Sequence, residues 1–428
     1  MPILADVGPL RRHRAFRRLW LGQLVSGFGS QLTIVAVAYQ SYELTHSTLI
    51  VGLVSLAQLG PLLIGSLIGG SLVDAKDRRR VLLVTQVVLG SASLGLAINA
   101  TLPHPALWPL FVLTAGAAAV QGVDHPGRKA ALPMLVPVED LPSALALQQI
   151  VFQAAAVGGP AMAGLLISRF GLPAVFGIDV VSFGAALLAV ALLPPLLPRG
   201  GGRPAGLTSI REGMQYLRGQ RLLASTFWID LDAMVFGMPR AVFPALGTGL
   251  YGGGAAIVGL LYAAPAAGAL VGALLTGWVS SVRRQGRAVV IAVVMWGVAI
   301  SCFGFVPILW FGLVMLAVAG ASDVISAVFR NAILQTTVPE HLQGRLSGTF
   351  IAVVTGGPRL GDAEAGAASA IGGAQFAVWS GGLACVVGAF LLAWRAPELW
   401  RYDTADGVGD AGDAITTAVS ELSESEPG

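Results

Sequence analysis

Long apolar runs dominate this sequence and restrict what the chain can fold into. They recur between residues 18 and 395, and each is about twenty residues long, the length at which a helix crosses the hydrocarbon core of a bilayer. Hydrophobic residues make up 55% of the 428 residues and charged residues 11%, whereas a soluble domain carries about 25% charged residues. The composition therefore excludes a soluble globular protein and indicates a membrane protein with many crossings.

The apolar runs predict an all-α membrane protein with twelve transmembrane helices in two six-helix halves. The predicted spans are 18–42, 48–72, 81–101, 106–125, 144–167, 173–194, 222–247, 255–279, 288–306, 308–329, 346–368 and 374–395. The predicted regions are a basic N-terminal segment (1–17), a first half (18–194), a cytosolic linker with an amphipathic helix (195–221), a second half (222–395) and an acidic, disordered tail (396–428).

The basic residues predict the orientation in the membrane. Of the 26 Lys and Arg residues, all but Arg169, Arg240 and Arg359 fall in segments that twelve spans place on one side. Because loops rich in Lys and Arg stay in the cytosol, both termini are predicted to be cytosolic.

The two halves resemble each other, which indicates an internal repeat. RKAALPMLVPVEDL (128–141) aligns with RNAILQTTVPEHL (330–342), so that Arg128 corresponds to Arg330. Farther along, GGP at 158–160 corresponds to GGP at 356–358. Two repeated six-helix halves with a substrate site between them are the design expected of a transporter.

Short motifs then identify a family. GSLVDAKDRR (70–79) is similar to the loop motif of the major facilitator superfamily, with Asp77 in place of a usual glycine, and GPAMAG (159–164) is similar to its antiporter motif. The chain resembles this superfamily over its whole helical length. The resemblance implies a gating role for Gly70, Asp74, Arg78, Arg79, Gly159 and Pro160.

A narrower resemblance rests on three separate stretches. FWIDLDAMVFGMPRAVFPAL (227–246), GSQLTIVAVAYQSYELTHS (29–47) and GGPRLGDAEAG (356–366) are similar to the enterobactin-exporter branch of the superfamily. That resemblance implies a monomeric protein of the bacterial inner membrane that exports a siderophore or a similar amphipathic molecule by proton antiport and alternating access. Related branches export macrolides and other drugs, so a multidrug efflux pump is the alternative.

Charged residues inside the spans are the candidate functional groups, because charges at membrane depth are costly and usually mark transport or proton paths. The candidates for proton coupling are Asp362, Glu364, Asp230 and Asp124. Arg359 and Asp362 are three residues apart on one helix face, so they are expected to pair while the site is empty. Asp230 needs a partner on another helix. Asp124 has an ordinary ion pair with Arg128 as its alternative role, and Asp323 is expected to be structural.

The substrate-binding candidates are polar or aromatic residues within the spans: Arg359, Arg240, Gln31, Trp228, Phe236 and Phe243. For the aromatic residues, packing in the core or against lipid is an equal alternative. Gly237 and Pro239 flank Arg240 and predict a break in its helix.

No motif indicates catalysis, a cofactor or a metal. The sequence lacks a P-loop and a His/Cys cluster, and its basic segments flank spans and do not form a nucleic-acid patch. The expected partners are a small-molecule substrate, protons and the lipid bilayer. A scaffold or sensor without transport, or a membrane enzyme, are the remaining alternatives; buried Arg and Asp residues favour transport.

Overall fold

A computed structural model of the chain describes residues 6–197, 215, 217, 219–338 and 340–403, with the backbone alone at residues 280 and 340–353. The long helices, numbered here in chain order, are α1 Arg14–Thr45, α2 Thr48–Ala57, α3 Leu59–Ala75, α4 Arg78–Thr101, α5 Trp108–Leu135, α6 Leu141–Ala191, α7 Arg221–Phe236, α8 Gly254–Leu274, α9 Gln285–Phe305, α10 Leu309–Thr337, α11 Glu340–Gly372 and α12 Ala374–Arg395. The described residues contain no β-strand, and the predicted all-α fold is confirmed.

The predicted spans and the observed helices do not correspond one to one. Helix α6 covers two predicted spans and is broken at Gly171 (φ 77°, ψ 172°), a backbone conformation that glycine adopts without a steric penalty. Among the described residues, nine helical stretches are long and apolar enough to cross a membrane, with α6 counted as one. Helices α5 and α11 carry interior charges and are not among the nine. The number of twelve crossings stays a prediction.

Small residues allow the same close packing in both halves. A side chain at Gly65 in α3 would collide with the backbone of α5 at Ala119, and one at Gly268 in α8 would collide with the backbone of α10 at Ala317. Glycines spaced four apart let membrane helices approach this closely. The two contacts occupy corresponding places in the two halves, as the repeat predicts.

The halves meet at the end of the bundle opposite the basic connections, which we call the far end. There, Gly52 of α2 packs against the backbone carbonyl of Asp362 in α11. On the other side of the interface, Gly164 of α6 packs against α8 at Ala255 and Gly259. The end that holds the Lys- and Arg-rich connections is called the basic end.

The far-end contact makes a steric prediction. Gly52→Val would put methyl groups where the Asp362 carbonyl lies, so we expect the halves to separate at the far end. A cysteine introduced at Ser369, which is 9% exposed, should then react with a thiol reagent at least about tenfold faster, equivalent to a shift of about 1.4 kcal/mol. The background lacks Cys302 and Cys385.

Gly60→Val is the matched control for this experiment, because no atom lies within 4 Å of the Cβ position at Gly60. It should leave the reactivity of the introduced cysteine unchanged. If the introduced cysteine reacts equally fast with and without Gly52→Val, this contact does not hold the halves together.

The first residues after α12 are helical, although the prediction places them in a disordered tail. Pro397–Arg401 forms a short helix in which Leu399 is fully buried. The guanidinium of Arg287 lies 5.3 Å from the ring centroid of Trp400. The acidic residues after 403 and most of the predicted amphipathic linker helix lie outside the described residues.

Candidate transport site

Asp362 lies where the two halves touch. Ser55 of α2 donates a hydrogen bond to Asp362 Oδ2 over 2.5 Å. The other carboxylate oxygen, Oδ1, is buried and has no hydrogen-bond partner in the described part of the chain. Asp362 is ten residues before the end of α11, so it lies roughly 15 Å below the far end. A proton-coupling candidate therefore forms part of the contact between the halves.

Arg240 lies in a break between two helical segments, as Gly237 and Pro239 predicted. Helix α7 ends at Phe236 and a short 3-10 turn begins at Arg240. Side chains from neighbouring helices cap the freed carbonyls: Trp296 Nε1 donates to Gly237 O over 2.8 Å, and Tyr262 Oη donates to Arg240 O over 3.1 Å. Non-helical backbone is tolerated at membrane depth when other protein groups form hydrogen bonds with its free carbonyl and amide groups, as they do here.

The guanidinium groups of Arg240 and Arg359 are held near Asp362 without a salt bridge to it. Arg359 donates to the carbonyl of Thr355 in its own helix over 2.7 Å. Neither arginine has a carboxylate oxygen within 4 Å among the described residues. Both lie close enough for their charges to act on the Asp362 carboxylate. The predicted Arg359–Asp362 ion pair is therefore wrong for this conformation, because Arg359 bonds to the backbone instead.

These residues form what we call the central site: Ser55, Arg240, Tyr262, Arg359 and Asp362. With both arginines charged and Asp362 ionised, the site carries one net positive charge. His125 of α5 has an exposed side chain and lies within electrostatic reach of Arg359 in the other half. Groups from both halves thus face a shared space, and the excess positive charge suits a ligand with acidic groups.

As predicted, Asp230 has a charged partner on another helix. It forms an ion pair with Arg330 of α10, and the two residues are 2% and 5% exposed. The predicted spans leave Arg330 in a connection, and that placement is wrong, because α10 continues to Thr337 and buries it. Asp323 Oδ1 lies 3.9 Å from Arg330 Nη2. We call Asp230, Asp323 and Arg330 the triad.

Asp124 pairs with Arg128, the residue of the first half that corresponds to Arg330. Its Oδ1 accepts hydrogen bonds from Thr85 over 2.6 Å and Gln86 over 2.8 Å, and its Oδ2 pairs with Arg128 Nε over 2.5 Å. The ordinary ion pair with Arg128 is therefore present. The predicted spans leave Arg128 in a connection as well, but it lies inside α5 with 14% of its side chain exposed.

The other binding candidates are in different surroundings. Gln31 is half-buried and packs against Gly159 of α6. Trp228 is 61% exposed, and Phe236 is partly buried against the core of the second half. Phe243 is 1% exposed and packs edge-on against Tyr262 at 5.1 Å between ring centroids, so it presents no free face in this conformation.

Glu364, two residues after Asp362, is half-buried and makes no hydrogen bond or ion pair with another described residue. Within the described part of the chain, no group of three or more His, Cys, Asp or Glu side chains forms a candidate metal site.

The loop motif forms a hydrogen-bonded corner at the basic end. Arg78 Nη1 lies 2.6 Å from Met134 Sδ, and Arg79 Nη2 donates to the carbonyl of Ala191 over 2.6 Å. Asp77 caps α4 by accepting from the Arg79 amide, and it also accepts from the Leu196 amide over 2.9 Å. Asp74 and Gly70 precede this corner, and the exposed Asp74 makes no ion pair within the described residues.

Ser55, Tyr262 and Trp296 were not among the sequence candidates. Serine, tyrosine and tryptophan are common in membrane helices, so no sequence signal distinguished these three. The functional importance of a hydroxyl or indole depends on which group lies opposite it, and that is a property of the packed helices.

Comparisons with known proteins agree with this architecture. Residues 5–408 match a family model described as transmembrane secretion effector, a division of the major facilitator superfamily. The chain belongs to the major facilitator superfamily. The predicted family is confirmed, and the chain is a multi-pass membrane transporter of the bacterial inner membrane.

Its relatives include proteins named enterobactin exporter EntS. The protein of Citrobacter koseri is 30% identical over 407 residues, which cover 95% of this chain and 98% of the relative. That of Shigella boydii serotype 4 is 29% identical over 399 residues, covering 93% and 96% of the two chains.

Solved structures of other transporters share the fold at low sequence identity. A D-xylose–proton symporter superposes with a TM-score of 0.69 at 15% identity and covers 89% of this chain and 97% of its own. The nucleoside transporter NupG superposes with a TM-score of 0.71 at 12% identity and covers 91% and 100%. These likenesses concern the fold alone.

Proposed function

We propose that this superfamily transporter exports a siderophore or a similar amphipathic acid from the cytosol in exchange for protons. The observation that carries the proposal is the position of Asp362, which contacts Ser55 of the other half and lies beside two arginines without carboxylate partners. One group can then respond to a proton, to the substrate and to the closure between the halves. The relatives named enterobactin exporter support a siderophore as the substrate.

We infer which end of the transporter is open from the position of the Lys- and Arg-rich connections. With the basic end in the cytosol, the far end is the outer end, and the contacts of Gly52 and Gly164 close the transporter to the outside. The structure then corresponds to an inward-facing conformation. Alternating access requires these contacts to break while the halves approach each other at the basic end.

The central site can bind either the substrate or a proton at Asp362. Catechol hydroxyls can donate hydrogen bonds to an ionised Asp362, and acidic substrate groups can pair with Arg240 and Arg359. A proton arriving from outside would occupy Asp362 and remove its capacity to accept those hydrogen bonds, which releases the substrate. Proton and substrate thus compete for one carboxylate, and this competition makes the exchange obligatory.

Uptake into everted membrane vesicles tests this function. Vesicles with and without the protein receive enterobactin, a hydroxamate siderophore of similar mass, or a macrolide, under an imposed proton gradient that is acid inside. We expect gradient-dependent uptake of enterobactin that requires the protein, because relatives of this chain are named enterobactin exporter and the central site offers a carboxylate acceptor and two guanidinium groups to the catechol hydroxyls. Uptake of the macrolide without uptake of enterobactin would instead identify a drug efflux pump.

A further inference from the structure

The triad contains an uncompensated charge. Asp230 and Asp323 share a single guanidinium, that of Arg330, so the three ionised groups sum to one negative charge. In the first half, Asp124 and Arg128 pair one to one, and the second Asp124 oxygen is satisfied by Thr85 and Gln86. The second half therefore has an extra carboxylate at a place where the first half is neutral.

The two triad carboxylates differ in their access to water. Asp230 is 2% exposed and contacts Arg330 directly, whereas 31% of the Asp323 side chain is exposed and its oxygen is 3.9 Å from Arg330. A carboxylate exchanges protons only where water can reach it. Asp230 is sealed and paired, which leaves Asp323 as the exchangeable member.

The exposed surface of Asp323 faces the inside of the bundle. Val314, nine residues earlier on α10, is 47% exposed, and nine residues at about 100° each place it roughly 180° away from Asp323. The apolar, exposed Val314 marks the lipid side, so Asp323 points to the opposite side. The positive charge of Arg240, in the 3-10 turn that follows α7, reaches Asp323.

Few other charges face this position. The helices packed against α10 are α8, α9 and α7. Helix α8 carries no charged residue, and α9 carries only Arg287 near its first turn. Helix α7 contributes Asp230, Asp232 and, at its first residue, Arg221, which pairs with Glu398. Arg240 follows the end of α7 and acts on Asp323 without forming an ion pair with it. Among the described residues, no cation on these helices therefore forms a salt bridge that balances the second carboxylate of the triad.

We infer that Asp323 is a second proton-carrying residue of the transport cycle. With the transporter open to the outside, hydronium from the aqueous cavity gives its proton to the Asp323 carboxylate and leaves as water, and the triad becomes neutral. A neutral triad stays enclosed at low cost while the halves are closed at the basic end, whereas an unbalanced charge there is costly. When the basic end opens to the cytosol, water reaches Asp323 and takes the proton away, so the proton moves inward as the proposed exchange requires. The inference rests on the proposed proton-coupled function, and it reverses the expectation that Asp323 is structural.

Infrared spectroscopy of the purified protein tests the inference without substrate. Difference spectra between acidic and alkaline pH should contain a protonated-carboxyl band that is lost in Asp323→Asn and returns, shifted, in Asp323→Glu. Asp74→Asn, which removes an exposed carboxyl group, should leave that band unchanged. Persistence of every such band in Asp323→Asn would overturn the inference, whatever the outcome of the enterobactin experiment.

A transport measurement provides the second readout. Because Asp230 still neutralises Arg330, we expect Asp323→Asn to fold and to bind substrate. In proteoliposomes, the number of protons exchanged per substrate molecule should fall by one, so gradient-driven accumulation should fall about tenfold per pH unit. An unchanged proton-to-substrate ratio would show that Asp323 carries no coupled proton.

Discussion

Replacing Asp362 by asparagine is expected to leave the protein folded and to remove one proton from each exchange with substrate. Asparagine keeps an oxygen that can accept the hydrogen bond from Ser55, but it cannot bind a proton at physiological pH. Substrate should then still cross the membrane down its own gradient. Accumulation driven by an imposed gradient should fall about tenfold per pH unit for each coupled proton lost.

Everted vesicles with a fluorescent pH reporter measure this effect. In the wild-type protein, addition of substrate should dissipate the imposed gradient. In Asp362→Asn, each substrate molecule should dissipate less of it, although uptake without a gradient persists. Glu364→Gln is the matched control, because it removes a carboxylate of the same helix that makes no hydrogen bond or ion pair with another described residue. If Glu364→Gln uncouples transport and Asp362→Asn does not, the assignment of the proton to Asp362 is wrong.

The second large effect is expected on stability, from the buried pair of Asp230 and Arg330. Arg330→Gln leaves two carboxylates without a cation, and Asp230→Asn leaves Arg330 with only Asp323, whose oxygen is 3.9 Å away; loss of one partner of a buried pair costs about 3–5 kcal/mol. Asp230→Asn and Arg330→Gln should each lower the free energy of unfolding by about that amount, and the double variant should recover part of the loss. Unfolding in mixed detergent micelles measures all three.

An exposed pair serves as the control for this experiment. Arg221 and Glu398 lie 3.8 Å apart, with 83% and 43% of their side chains exposed, so Glu398→Gln should cost less than about 1 kcal/mol. Equal, small losses for Asp230→Asn and Glu398→Gln would contradict a buried ion pair between Asp230 and Arg330. A double variant as unstable as the sum of the singles would show that Asp230 and Arg330 do not stabilise each other.

Local sequence signals were sufficient for the architecture and for the identity of most charged candidates. The apolar runs set which segments become membrane helices, and the repeat of Arg128 and Arg330 placed related groups in the two halves. The helix break beside Arg240 also follows from local chemistry, since Gly237 and Pro239 weaken a helix wherever they occur. These features depend on neighbours within a few residues, which is why one sequence reveals them.

The pairing of the charges could not be derived in the same way. Arg359 was expected to bond to Asp362 because helical spacing brings the two together, yet Arg359 bonds to a carbonyl, and Asp362 bonds to Ser55, 307 residues away in the chain. Spacing along one helix says which side chains share a face. It does not say what the neighbouring helix presents to that face.

The sequence by itself therefore determined that this protein is a helical transporter of two related halves with charges at membrane depth. Only the tertiary structure decided that Asp362 joins the halves, that Arg330 is buried against Asp230 and that Asp323 is the triad carboxylate reached by water. The physical reason is that hydropathy and helical periodicity are local, whereas ion pairs and water access depend on how each helix is rotated and shifted against its neighbours.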